Sequence, residues 1–238
     1  VQRKIDAGAV LTRIFATYRE YAQVLLTLAV GVALVQAVFR LSDDWVVTLI
    51  GSIVSIVVSA LFTGAVVELV NDTRDGQLDQ SIGALVGQVT PVLLTLIIAS
   101  LLAGILTILG VIGCFVGAIA VYALLSVTAP VVVVERVGAI DALQRSWRMV
   151  WPNFWGVLLV IVVCWLISIV LGALVVGIVG YGVVGAIVAF VIYLLLAPLT
   201  ALASATLYFE LLAAERNPIE PGFPPPPPGP VPPTSPAY

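Results

Sequence analysis

Residues 154–176, FWGVLLVIVVCWLISIVLGALVV, run for twenty-three positions without an Asp, Glu, Lys or Arg. About 20 mostly apolar residues in a helix cross a hydrocarbon core of about 30 Å, so this stretch reads as a transmembrane helix. It is continuously apolar, whereas a lipid-facing barrel strand alternates apolar with polar residues over about 10 positions. Five further stretches have the same character, at residues 21–39, 45–70, 91–109, 113–134 and 183–207. Hydrophobic residues make up 61% of the 238 and charged ones 10%, against roughly 45–50% and 25% in soluble domains. The expected fold is an all-α polytopic membrane helix bundle of about six transmembrane helices.

Glycines divide the hairpins. Gly110 and Gly113 separate the third and fourth stretches, and Gly177, Gly180 and Gly182 separate the fifth and sixth, as tight turns require. Residues 1–216 form the integral membrane domain. Residues 217–238, with the run Pro224 to Pro228, read as a disordered tail in an extended polyproline II conformation. A solvated spacer is the expected role, and a ligand for SH3- or WW-like modules the alternative.

The cations fix the expected orientation, because short cytoplasmic loops retain Lys and Arg. Arg3, Lys4, Arg13, Arg19, Arg74, Arg136, Arg145, Arg148 and Arg216 fall on one side. Arg40 falls on the other, beside Asp43 and Asp44. Both termini are therefore expected in the cytoplasm. The charged opening, residues 1–20, and the lack of a small-residue cleavage pattern argue against a cleavable signal peptide.

A unit of one interfacial helix plus two spans repeats three times. The first begins at Asp6, with Leu11, Ile14, Phe15 and Tyr18 on one face. The second begins at Asp79, with Ile82, Leu85, Val86 and Val89, and reaches Pro91. The third begins at Asp141, with Leu143, Trp147, Val150 and Trp151 on one face and Gln144, Arg145 and Arg148 on the other, and ends at Pro152. The spacing is that of amphipathic helices, each Asp is suited to an N-cap, and each proline can open the next helix. Trp147, Trp151 and Trp155 cluster as an interfacial belt. With Arg145 and Arg148 they are the candidate lipid contacts, and anionic lipids at the cytoplasmic face are the expected partners. The exit helices end alike, in Glu68, Glu135 and Glu210. A carboxylate at a helix C-terminus opposes the macrodipole, so structural ion pairs are expected, Glu68 with Arg74 and Glu135 with Arg145 or Arg148. A ring of carboxylates gating a cation path is the competing reading.

Few residues invite chemistry. Histidine is absent, which removes the commonest general base and zinc ligand. Cys114 and Cys164 sit in apolar runs without a C-x-x-C spacing and read as small hydrophobes. The net charge of -3 argues against a nucleic-acid partner. No catalytic residue, metal or cofactor is expected. Gln36 is the strongly polar residue nearest mid-depth, and ion-coupled transporters usually carry ionisable groups there. Ser55, Ser59 and Thr63, and Gly113 with Gly117, recur at four-residue spacing and read as helix-packing positions.

Residues 129–163, APVVVVERVGAIDALQRSWRMVWPNFWGVLLVIVV, resemble the signature of the glycerophosphoryl diester phosphodiesterase membrane-domain family and related bacterial six-helix membrane proteins of unknown function. Pro130, Glu135, Gly138, Ala142, Leu143, Arg145, Ser146, Trp147 and Trp155 occupy the characteristic positions. Residues 198–215, PLTALASATLYFELLAAE, resemble the family's closing helix, except that Ala213 and Ala214 stand where arginines are typical. The resemblance implies a membrane domain in the bacterial inner (cytoplasmic) membrane, without the family's separate soluble catalytic barrel. The resulting expectation is a noncatalytic membrane protein, an organising or lipid-associated module. The alternative is a transporter or channel for a small or lipidic solute, which a water-lined cavity at mid-depth would favour and dry close packing would disfavour. With the native cysteines replaced, a cysteine at Asp43 should react with an impermeant thiol reagent in intact cells, while cysteines at Asp75, Ala139 and Ser235 stay protected until lysis; labelling of Ala139 without lysis would reverse the orientation.

Overall fold

The computed structural model describes residues 6–40, 44–73, 81–113, 115–179 and 183–216. Arg3, Lys4, Arg74, Asp79, Cys114 and the proline-rich tail lie outside the described residues. The described chain is helical without strands, and it contains six helical stretches long and apolar enough to cross a membrane. The protein is a multi-pass membrane helix bundle.

Three short helices each precede a helical hairpin. The first, α1 (Ala7–Glu20), starts where the Asp6 carboxylate accepts from the Gly8 N–H at 2.9 Å. It leads into the hairpin of α2 (Ala22–Arg40) and α3 (Trp45–Asp72), the latter capped by Asp44, whose carboxylate accepts from the Val46 N–H at 2.7 Å. Next, α4 (Ile82–Val89) passes through a 3₁₀ turn containing Pro91 into α5 (Leu93–Gly113). The return crossing is assembled from α6 (Phe115–Leu125), α7 (Thr128–Pro130) and a π-helical turn, Val131–Glu135. Finally, α8 (Ala139–Val150) passes through a 3₁₀ turn containing Pro152 into α9 (Phe154–Val179), and α10 (Val183–Arg216) is the last described element.

Two helix starts differ from the sequence expectation. Ser81, not Asp79, caps α4, its hydroxyl accepting from the Ala84 N–H at 3.3 Å. Helix α8 begins after Gly138, which puts Asp141 inside the first turn. There the carboxylate still meets the positive end of the macrodipole, so it does the electrostatic work of a cap from three positions further along. The π-helical turn stops at Arg136, whose φ of 53° is left-handed, a conformation that ends helices by turning the chain away.

The crossings form a ring in which α2 touches α3, α3 touches α5, α5 touches α6, α6 touches α9, α9 touches α10, and α10 returns to α2. Helix α10 also leans across to α3, while α1 packs against α10 and α9. With six crossings, the first and last described residues lie on one face, together with α1, α4 and α8; this is called the arginine face below. Packing is uneven along the membrane normal. Toward the arginine face α3 is buried continuously from Gly64 to Leu69, and α10 is buried at Ala201, Leu202, Ala203, Ala205 and Leu207. Toward the opposite face α3 buries only Gly51 before Ala60, and α9 beyond Cys164 leaves Leu166, Ile169, Val170, Leu174 and Ile178 exposed. Side-chain burial is dense toward the arginine face and sparse toward the other.

Lipid tails are as apolar as Leu, so small residues that let backbones approach hold such a bundle together. Gly110 of α5 and Gly117 of α6 meet backbone to backbone: a Cβ on Gly117 would stand 2.9 Å from the Gly110 carbonyl oxygen. At Gly64 a Cβ would strike the buried Val89 side chain of α4, and valine is too short to swing aside. Gly64→Ala should therefore destabilise the detergent-solubilised protein by about 1–3 kcal/mol, the usual range for overpacking. Gly83→Ala, which meets nothing within 4 Å, should leave the thermal midpoint unchanged or slightly higher.

Candidate functional site

Proline interrupts two of the crossings where the densely and sparsely buried halves of the bundle meet. Pro130 has no N–H for the carbonyl four residues back, that of Ser126, and the Ser204 hydroxyl of α10 donates to this carbonyl at 2.9 Å. The preceding carbonyls are served likewise: Ala123 accepts from the Ser126 hydroxyl, Leu124 from Ser146 of α8 and Leu125 from Thr128, each at 2.8 Å. In α10, Pro198 lies inside the helix and deprives Leu194 of its usual donor. The neighbouring Leu195 carbonyl accepts from the Tyr18 hydroxyl of α1 at 2.9 Å. Burial raises the Tyr18 pKa above its ordinary value, which keeps that donor protonated.

Beside these breaks lies a chamber of about 900 Å³ to which all six crossings contribute. Its walls come from near the middle of the helices, for example Ala29 and Ala33 of α2, Thr63 of α3, Thr107 of α5, Ser168 of α9 and Thr200 of α10. Tyr122 of α6 stands in the wall with its ring against Trp165 of α9, centroids 5.3 Å apart. Among the described residues that line it, none is Asp, Glu, Lys or Arg. The surface is apolar and studded with hydroxyls. Ser59 and Thr63, expected as packing positions, line this chamber, and Gln36 reaches Ser59 Oγ with its amide at 3.4 Å. Cys164 is buried in the core beside it, as a small hydrophobe would be.

A second polar feature sits at the arginine face. Arg145 of α8 donates to both oxygens of Glu215 at 2.9 and 2.7 Å and, through Nε, to Glu135 Oε1 at 3.3 Å. Tyr208 donates to the same Glu135 oxygen at 3.2 Å. The cluster ties the π-helical turn, α8 and the end of α10 together. Arg13 of α1 reaches Glu210 at 2.6 Å. Glu68 is buried and hydrogen-bonded by Asn71, with Arg136 as the nearby cation; its expected partner Arg74 is outside the described residues.

The expected single apolar face of α8 is divided in the structure. Ala142, Leu143, Ser146, Met149 and Val150 are buried, whereas Trp147 and Trp151 are 43% and 62% exposed and stack on each other at 5.8 Å. Trp155 is 79% exposed. Arg148 is exposed and donates to the Gln144 carbonyl of its own helix, while Arg145 has turned inward to the carboxylates. Periodicity groups Leu143, Trp147 and Val150 on one stripe, but burying Ser146 brings its hydroxyl to the Leu124 carbonyl and turns the indoles outward. Glu215 escaped notice because nothing local marks its partner, which lies seventy residues earlier.

Comparison of the chain with family models, curated proteins and solved structures finds no match.

The two arginines of α8 should separate in a stability assay. Arg145→Gln leaves two part-buried carboxylates without their cation and should lower stability by about 1–3 kcal/mol, between the ranges for exposed and buried pairs. Arg148→Gln should change the thermal midpoint little.

Proposed function

We propose that this protein is a noncatalytic membrane protein that holds an uncharged lipidic solute in its central chamber. The observation that carries this reading is the chamber, roofed by no single helix and walled by all six crossings. Its volume falls within the roughly 300–1,000 Å³ of small-molecule sites. An isolated charge moved into such surroundings would lose its hydration without a partner, so the favoured solute is neutral and mostly apolar. The sparsely buried half toward the opposite face is the side from which the solute would enter, and the densely buried half at the arginine face would stop it from passing freely through. This favours a lipid carrier or lipid-associated module over an open channel. Helices broken by proline beside a mid-depth site are also the construction used by many transporters.

The resemblance to bacterial six-helix membrane domains supports the bacterial inner membrane as the location, and the cation bias supports cytoplasmic termini. The exposed Trp147, Trp151 and Trp155 suit the interfacial depth. Arg148 is the cation of α8 available to anionic headgroups, at about 1 kcal/mol per cation near a charged surface.

Filling the chamber tests the proposal. Gly104 lines it, and a Cβ there meets nothing within 4 Å. Gly104→Phe should keep the thermal midpoint and reduce severalfold the lipid that copurifies with the protein, measured by native mass spectrometry. Equal lipid retention by the wild type and the filled variant would remove the chamber as a solute site.

A further inference from the structure

A hydroxyl within hydrogen-bond distance of a carbonyl oxygen can only be the donor, because the carbonyl has no proton to give. This fixes the polarity of the chamber wall. Thr63 donates to the Ser59 carbonyl at 3.0 Å, Thr107 to Ala103 at 2.8 Å, Ser168 to Cys164 at 3.0 Å and Thr200 to Ala197 at 3.0 Å. At the breaks, Ser126 and Ser204 donate to the Ala123 and Ser126 carbonyls. Each of these six side chains lines the chamber and keeps accessible surface, yet each has spent its one proton on backbone. What they turn to a solute is oxygen lone pairs. Ser59, Ser100 and Tyr122 are the described lining hydroxyls not committed in this way.

We infer that the chamber selects an amphiphile whose polar end is an uncharged hydrogen-bond donor, a long-chain alcohol being the simplest member of the class. The inference rests on the chamber holding a solute and adds which one. A hydroxyl head finds acceptors on α3, α5, α9 and α10, while its chain lies along the alanines and glycines of the same wall. An ether head of equal length meets lone pair against lone pair over most of that wall. An ionised carboxylate has the same defect and no cation to answer its charge.

The test uses the full chain in lipid nanodiscs with three photoactivatable sixteen-carbon probes: a primary alcohol, its methyl ether and the corresponding carboxylate. Labelled peptides are mapped by mass spectrometry and occupancy is taken from competition curves. The alcohol should label α3, α5 and α10 around the chamber and bind about two- to tenfold more tightly than the ether, the range that one net neutral hydrogen bond gives. Thr63→Val together with Thr200→Val keeps the shape of both side chains and removes only oxygens bonded within their own helices, so the fold should persist and the preference should shrink toward unity. Equal labelling by alcohol and ether, strongest labelling by the carboxylate, or an undiminished preference in the double variant would each overturn the donor selectivity and leave the chamber as a solute site. Failure of all three probes to label chamber peptides would overturn both.

Discussion

No water in the hydrocarbon core will hydrogen-bond a backbone group that its helix has released, so each released group must find a partner within the protein. Pro130 releases the Ser126 carbonyl, and the structure answers with the Ser204 hydroxyl; beside Pro198, the Tyr18 hydroxyl donates to the Leu195 carbonyl. Much else depends on these two hydrogen bonds. They tie α10 to the broken crossing of α6 and α7, and they tie α1 to α10, so that the shorter helices act as braces on the spans. The interruptions also let the wall bend around a chamber that six regular helices packed on small residues would close.

A division of labour along the membrane normal follows. At the arginine face, alanine, glycine and valine bring α3, α10 and the π-helical turn together, and the Arg145 cluster joins that turn, α8 and the end of α10. Toward the opposite face large aliphatic side chains of α3, α5 and α9 stay exposed. One half of the bundle is thus fixed by packing and ion pairs, and the chamber lies where that constraint gives out. Charge is kept at the rim, where water can share the cost of holding it.

The spans were legible because apolar length is a strong signal, and so were the three entry helices with Pro91 and Pro152. The chamber was not. Ser59 and Thr63 at four-residue spacing fit a packing seam as well as a cavity wall, and only the positions of Thr107, Ser168 and Thr200 on other helices decide between them. The inward turn of Arg145 was partly legible, since Glu135 lies nearby in the chain, but Glu215 was hidden by distance. Trp147 and Trp151, expected on one face with Leu143 and Val150, part from them in the structure, because the Ser146 hydroxyl reaches the Leu124 carbonyl and the face that carries it is the buried one.

The ties to α10 also set an order in time. A chain made from its N-terminus inserts five crossings before the last one exists. Until α10 arrives, the Ser126 carbonyl lacks Ser204, Tyr18 lacks the Leu195 carbonyl, Arg13 lacks Glu210 and Arg145 lacks Glu215. The nascent protein therefore waits in the bilayer with its unmet backbone and charges gathered along one seam. The final helix acts as a keystone, and a chain that stalls before residue 195 carries the recognisable mark of an unfinished membrane protein.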